Sequence, residues 1–153
     1  MPKIVPKNDL SNYVGKHLGY SDWLTIDQDR INRFADATLD HQFIHVDVER
    51  AEATPFGSTI AHGFLILSLL PHLASQVALL PEGLDMAINY GLNKVRFASP
   101  VKVNAAVRVG VKVLDVSERS PGQFLVRSEA TIEIKGGDRP ALIAESLILY
   151  VTK

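Results

Sequence analysis

The spacing of apolar residues changes character once along the chain, near Leu84: the first half alternates between helical spacing and polar loops, and the second half alternates residue by residue. Thr25 to Thr38, TIDQDRINRFADAT, places Ile26, Ile31, Phe34 and Ala35 close to a 3.6-residue repeat. With Thr25 and Asp27 as possible caps, this predicts an amphipathic helix. The polar segment DHQFIHVD that follows reads as a loop, and Val48 to Ala53 predicts one or two further helical turns before Thr54-Pro55-Phe56-Gly57 stops them. Phe64 to Leu80, opened by Gly63, is apolar on nearly every side and reads as one helix buried all round. Pro71 lies inside it. In a straight helix its missing N–H would cost ~3 kcal/mol, so a kink or short break is expected there.

From Leu84 the period is two. In VKVNAAVRVGVKVL, the residues Val101, Val103, Ala105, Val107, Val109, Val111 and Val113 share one face, with Lys102, Asn104, Arg108 and Lys112 on the other. QFLVRSEATIEIK repeats the pattern, and Ser120-Pro121-Gly122 joins the two segments as a hairpin with one wet face. Gly136-Gly137-Asp138 makes the next turn, and ALIAESLILYV is apolar on both faces, as a central strand would be. With Leu84 to Phe97 upstream, the pattern predicts four long antiparallel strands. Their apolar face has to be buried, and the helix at Gly63 is the one strongly apolar helix available. The expected architecture is a single α+β domain over residues 1–153, an antiparallel sheet wrapped around a central apolar helix: the hot-dog fold. One such unit leaves sheet edges open, so pairing with a second copy, as a homodimer, is expected.

Composition narrows the function classes. Lys and Arg number 16 against 17 Asp and Glu, so the chain has no excess of basic charge with which to hold a phosphate backbone, and nucleic acid is not an expected partner. The absence of cysteine rules out disulfides, thiolate metal sites and a Cys nucleophile, and suits a reducing compartment. The N-terminus lacks a signal-peptide apolar core, and Phe64 to Leu80 is short for the ~20 apolar residues of a membrane helix. A cytoplasmic protein without a membrane span is expected.

Three of the five histidines fall between positions 41 and 62. Asp40, His41 and His45 occupy the polar segment between apolar helices, and His62 precedes Gly63. Several chemistries fit these residue types. A carboxylate and an imidazole beside one water can divide proton removal and delivery. The same groups are common metal ligands, although His41 and His45 lie in no helical metal motif. A Ser-His-Asp hydrolase would need a sharp nucleophile turn, and Gly57-Ser58-Thr59-Ile60 lacks its second glycine. A purely structural role, with Asp40 capping a turn and the imidazoles completing hydrogen bonds, stays open beside these.

FADATLDHQFIHVD followed by TPFGSTIAHGF resembles the signature of the MaoC-like dehydratases and (R)-specific enoyl-CoA hydratases, in which an aromatic residue precedes an Asp, a His follows after four residues, and a His-Gly pair opens the central helix. Here these are Phe34, Asp40, His45 and His62-Gly63. The strand segment NYGLNKVRFASPVKV is similar to the nodulation-protein-N-like branch. The better-known hydratase signature has Gly-Asp-x-Asn-Pro-hydrophobic-His, and this chain has Leu39-Asp40-His41-Gln42-Phe43-Ile44-His45. The resemblance implies hydration of trans-2-enoyl-CoA, or the reverse dehydration of a 3-hydroxyacyl thioester, by Asp40 and His45. It also implies no metal and no cofactor beyond the coenzyme A or acyl carrier protein that the substrate carries. The Gly63 amide is the candidate oxyanion donor, with His62 beside it and Asn93 as a further candidate for substrate contact; Gly63 has the alternative role of letting the helix start close to the sheet. Lys94 and Arg96 read as a solvated face, with coenzyme A phosphates as a second possibility. A hot-dog acyl-CoA thioesterase, a non-catalytic acyl-CoA-binding protein and a metal-dependent hydrolase are the alternatives.

Overall fold

The computed structural model describes residues 1–153. The N-terminal half contains β1 (Lys3–Val5), a 3-10 turn at Lys7–Tyr13, β2 (His17–Tyr20), β3 (Leu24–Thr25), and the helices α1 (Gln28–Thr38), α2 (Phe43–Val46), α3 (Val48–Glu52), α4 (Gly63–Ser68) and α5 (Leu70–Ser75). A short strand, β4 (Leu79–Pro81), precedes the four long ones, β5 (Leu84–Phe97), β6 (Ala106–Ser120), β7 (Gln123–Ile134) and β8 (Leu142–Thr152). The main sheet has the order β2-β6-β7-β8-β5, with β3 also paired to β6, and every pairing in it is antiparallel. β1 and β4 form a separate parallel pair.

The four predicted strands are present, and β5 has the predicted bounds. β6 starts later than expected, at Ala106, because Asn104 adopts a left-handed backbone (φ 69) that breaks the alternation begun at Val101. Val101 to Val103 instead runs beside Thr59 to Ala61, through a bridge between Ile60 and Lys102. The first half is not only helix and loop. β1, β2 and β3 span 3, 4 and 2 residues, too short to show a period of their own, and exist through pairing with longer or equal partners.

Three helical expectations are also refined. Asp27, not Thr25, caps α1, its carboxylate accepting the Arg30 N–H at 2.8 Å. The segment read as a loop contains the single turn α2, and Asp47 between α2 and α3 caps the latter through Arg50 N–H at 3.0 Å. Phe64 to Leu80 is not one helix but α4, α5 and then β4. Pro71 is the second residue of α5, where its missing N–H would have had no helical partner, so the chain breaks rather than kinks.

α4 and α5 press Leu65, Ile66, Leu70 and Leu73 onto the concave face of the sheet, against Val109, Ile132, Leu142 and Ala144. A smaller cluster at the far end of the sheet gathers Leu10, Leu79, Val113, Phe124 and Tyr150. The hydrogen-bond register stacks these inward residues in rows. Ile132 pairs with Leu142, Ala130 with Ala144, Ser128 with Ser146, Val126 with Ile148 and Phe124 with Tyr150.

α1 ends in a left-handed residue, Leu39 (φ 64, ψ 20), whose side chain is 81% exposed. A glycine is the usual occupant of such a C-terminal position, and a β-carbon there costs ~1–2 kcal/mol. Leu39→Gly should therefore stabilise the protein, the relief being partly offset by the ~0.5–1 kcal/mol of extra chain entropy that glycine loses on folding. The expected rise in Tm is about 2 °C; a fall on thermal unfolding would contradict the strain.

Candidate active site

Ile60 is the fixed point around which the polar residues are arranged. Flanking backbone bonds, Ala61 N–H to Val101 at 2.8 Å and Val103 N–H to Thr59 at 3.0 Å, hold its segment against Val101–Val103. Both backbone groups of Ile60 face α2. Its N–H donates to the Ile44 carbonyl at 3.0 Å, and its carbonyl accepts the Nδ1–H of His45 at 2.7 Å. Gln28, in the first turn of α1, adds a second clamp: its amide donates to the His45 carbonyl at 2.7 Å and its oxygen accepts the Thr59 hydroxyl at 2.5 Å. A four-residue helix cannot hold itself together in water, so these tertiary bonds are what place His45.

His62 connects this unit to Asp40. Its ring stacks on His45 at 3.9 Å and 24°, and Phe34 of α1 packs on its other neighbourhood at 5.0 Å and 57°. Its Nε2–H donates to the Asp40 backbone carbonyl at 3.0 Å. The loop after Leu39 is thereby tied to the start of α4, and the side chains of Asp40, His45 and His62 offer polar atoms all within 4.8 Å of one another. His62 is 2% exposed and His45 7%, while Asp40 is exposed. The Nδ1 of His62 is buried without a partner, an arrangement that costs ~1–3 kcal/mol.

The protonation state of His45 follows from its surroundings. A carbonyl can only accept, so Nδ1 carries the hydrogen and Nε2 presents a lone pair. Burial is the largest influence and lowers the imidazole pKa below its ordinary 6.5; the Ile60 bond opposes this, the neighbouring His62 lowers it further and Asp40 raises it. The net result is a neutral imidazole with a free basic nitrogen.

A cavity of about 290 Å³ joins His45 to Gly63, with Phe56, Ile60, Ile66 and Phe97 among its walls. Gly63 is the first residue of α4, and no side chain caps that end of the helix. Its N–H is thus free of a helical partner. A β-carbon on Gly63 would lie 3.0 Å from the Phe97 ring, so glycine is required for this close approach.

The structure thus brings Asp40, His45, His62 and Gly63 together. Asn93 lies on β5, exposed, with its amide 3.5 Å from Glu145, and no contact joins it to the group. His41 pairs at the surface with Asp36 at 2.9 Å, and His72 is exposed on α5. Gln28, Thr59 and Ile60 were not singled out from the sequence; their only signal is position, since two act through backbone or amide groups common to many residues. As metal ligands the histidines fit poorly. Each leaves one nitrogen free, but lone pairs in near-parallel rings 3.9 Å apart do not converge on a point about 2.1 Å from both.

A one-layer antiparallel sheet curved over a short central helix places the protein in the hot-dog class. Within that class it belongs to the MaoC like domain family, whose model matches residues 9–133. The chain is 50% identical over 143 residues to the 3-hydroxyacyl-thioester dehydratase Z of Mycobacterium tuberculosis, covering 94% of each chain. It is 47% identical over 139 residues to Nodulation protein N of Rhizobium leguminosarum bv. viciae, covering 89% of this chain and 85% of that one. Among solved structures, the unliganded R-hydratase of Pseudomonas aeruginosa superposes with a TM-score of 0.74 at 25% identity, covering 92% of this chain and 83% of the other.

If neutral His45 is required for activity, kcat/KM falls as pH drops, with an inflection below 6.5 because the proton binds this site less readily than free imidazole. Stability has the same sign. The unfolded chain binds a proton at His45 near 6.5 and the folded chain only at lower pH, so between those values stability decreases as pH falls. A kinetic inflection above 6.5, lost in no His45 variant, would contradict this assignment.

Proposed function

We propose that the protein catalyses the reversible addition of water to a trans-2-enoyl thioester, giving a 3-hydroxyacyl thioester of R configuration. The observation that carries this reading is the Asp40 carboxylate lying within 4.8 Å of the His45 imidazole, together with the small cavity that His45 and Gly63 both line. The names of its relatives support the same direction: a 3-hydroxyacyl-thioester dehydratase at 50% identity and an R-hydratase of matching fold.

In the hydration direction, Asp40 and His45 hold a water between them. His45 Nε2 takes its proton as the oxygen attacks the β-carbon, and the double-bond electrons move onto the thioester oxygen as an enolate. The Gly63 N–H, without a helical partner at the start of α4 on the cavity wall, stabilises that charge; donors of this kind are worth ~3–4 kcal/mol. The imidazolium then returns the proton to the α-carbon with the help of Asp40. Water has been added across the double bond and both side chains regain their starting state. His62 positions Asp40 and His45 rather than touching substrate. The reaction changes no oxidation state and draws every atom from water and substrate, so no separate cofactor is required; coenzyme A or an acyl carrier protein enters as part of the substrate.

A homodimer completes the reading. β5 is an edge strand of 14 residues with Met86 (50%), Ile88 (43%) and Tyr90 (55%) exposed, a long apolar edge of the kind proteins normally cover. We place a second copy against it. No helix is long and apolar enough to cross a membrane, and we assign the protein to the cytoplasm.

The test follows crotonyl-CoA hydration by loss of enoyl absorbance. Asp40→Asn and His45→Gln should each lower the rate by about 10²- to 10⁴-fold, with circular dichroism unchanged. Wild-type turnover in either variant would refute the mechanism, and release of free thiol without loss of enoyl absorbance would point to a thioesterase. Sedimentation should give twice the chain mass, and Ile88→Glu should shift it to monomer; a monomeric wild type would remove the dimer.

A further inference from the structure

Two bonds tie α2 directly to the segment at Ile60: Ile60 N–H to the Ile44 carbonyl, and His45 Nδ1–H to the Ile60 carbonyl. Two attachments leave one motion free, a swing of α2 about the line that joins them. The stacked His62 ring, 3.9 Å from His45, opposes tilting of the imidazole but not rotation within its own plane. That rotation is the one that turns the Nε2 lone pair, which lies in the plane of the ring. α2 is a single turn and has no stiffness of its own to prevent it.

Gln28 and Thr59 supply the missing constraint. The His45 carbonyl can only accept, so the Gln28 amide turns its Nε2 toward it, at 2.7 Å, and its Oε1 toward Thr59. The other Nε2 hydrogen goes to the Asn32 side chain one turn along α1, at 2.9 Å, and every hydrogen-bonding atom of the amide is engaged. Thr59 is 1% exposed and immediately precedes Ile60, so its hydroxyl joins the bridge to the residue that holds the imidazole. The four residues close a ring. Thr59 is joined to Ile60 along the chain, Ile60 accepts from the His45 ring, the His45 carbonyl accepts from Gln28, and Gln28 accepts from Thr59. The cap of α1 is Asp27, so the helix does not need Gln28 to begin.

We propose that Gln28 and Thr59 are positioning residues for the hydration: their bridge locks α2 to the Thr59–Ile60 segment and so holds the His45 lone pair in the orientation that takes the proton from water. Neither side chain touches the reacting atoms. The role accounts for the residue types. Glutamine reaches from α1 to both segments with donors and an acceptor on one rigid amide, a combination that ionised glutamate and lysine lack. Thr59 provides the buried hydroxyl donor that the amide oxygen requires. The same helix carries Phe34 against the His62 ring and leads through Leu39 to Asp40. α1 therefore spans the acid–base pair, its first turn fixed to one member and its end leading to the other. The inference rests on the reading of His45 as the base.

Thr59→Val and Gln28→Met remove the bridge from opposite ends at nearly unchanged volume, so either serves if the other fails to fold. In crotonyl-CoA hydration kcat should fall by about ten- to a hundred-fold, as for a group displaced by up to 1 Å, with KM changed less than about two-fold. Thr59→Ser keeps the hydroxyl and should recover most of the lost rate. The pH profile separates positioning from general loosening. Burial, His62 and Asp40 act on His45 and stay in place in these variants, whereas the Ile60 bond raises the imidazole pKa, so weakening that bond moves the kcat/KM inflection to lower pH. Nitrogen NMR of the His45 ring should show a mixture of tautomers in place of Nδ1–H alone. Ile31→Val, which opens a small void elsewhere in α1, should lower Tm and move neither readout. Unchanged kcat in the bridge variants overturns the proposal, as does a lower kcat with the wild-type tautomer and no downward shift of the inflection, or the same shift in Ile31→Val. If the wild type hydrates no crotonyl-CoA and the bridge variants still mix the tautomers, the proposed reaction fails and the hold on the ring stands.

Discussion

The hydrogen bond from His45 Nδ1–H to the Ile60 carbonyl organises both the structure and the chemistry. At 2.7 Å it anchors the one-turn helix α2 to a segment that is itself fixed to Val101–Val103, and it fixes the ring while leaving its other nitrogen free. It also decides the tautomer. Without it, burial would still keep the imidazole neutral, but either nitrogen could carry the hydrogen, and the basic lone pair would have no defined direction. The stack of Phe34, His62 and His45 then carries this order outward to Asp40, which has no buried partner of its own and depends on the His62 bond to its backbone.

Much of the sheet was legible because a strand with one buried face leaves a period of two. β5 to β8 and their turns follow directly from that alternation, and the tight turns account for β6 pairing with β7 and β7 with β8, whereas β5 pairs with β8 rather than with its chain neighbour β6 and no local signal announces that. What was missed had no periodic signature. β2 and β3 are too short to register one and form because β6 offers an unpaired edge. Asn104 reads as a strand residue among valines, yet its left-handed backbone ends the segment early. α2 looked polar because it contains His45 and is flanked by Gln42 and Asp47, although Phe43, Ile44 and Val46 supply the apolar side.

The site divides in the same way. Asp40 and His45 were visible because carboxylate and imidazole side chains are uncommon between apolar helices, and their spacing matched a family pattern. Gly63 was visible as the glycine at the head of an apolar helix; the Phe97 ring 3.0 Å from where its β-carbon would lie is the physical reason for it. Gln28 and Thr59 were invisible, since an amide and a hydroxyl that hold backbone in place carry no spacing of their own. Asn93, chosen for polarity near the helix, lies instead on the exposed edge strand, where polarity needs no further cause.

Pro71 has a consequence beyond the helix it interrupts. By splitting the apolar segment into two short helices, it separates the residues that set the start of α4 beside His45 from those of α5 that roof a second cavity, about 480 Å³, over the outer rows of the sheet. Substitutions in α5 and in the outer rows of β7 and β8 can remodel that roof and floor without disturbing Gly63, Ile60 or the imidazole. The fold is therefore modular in an evolutionary sense. Descendants of one ancestor can diverge at the α5 end of the sheet while keeping the surroundings of His45 unchanged.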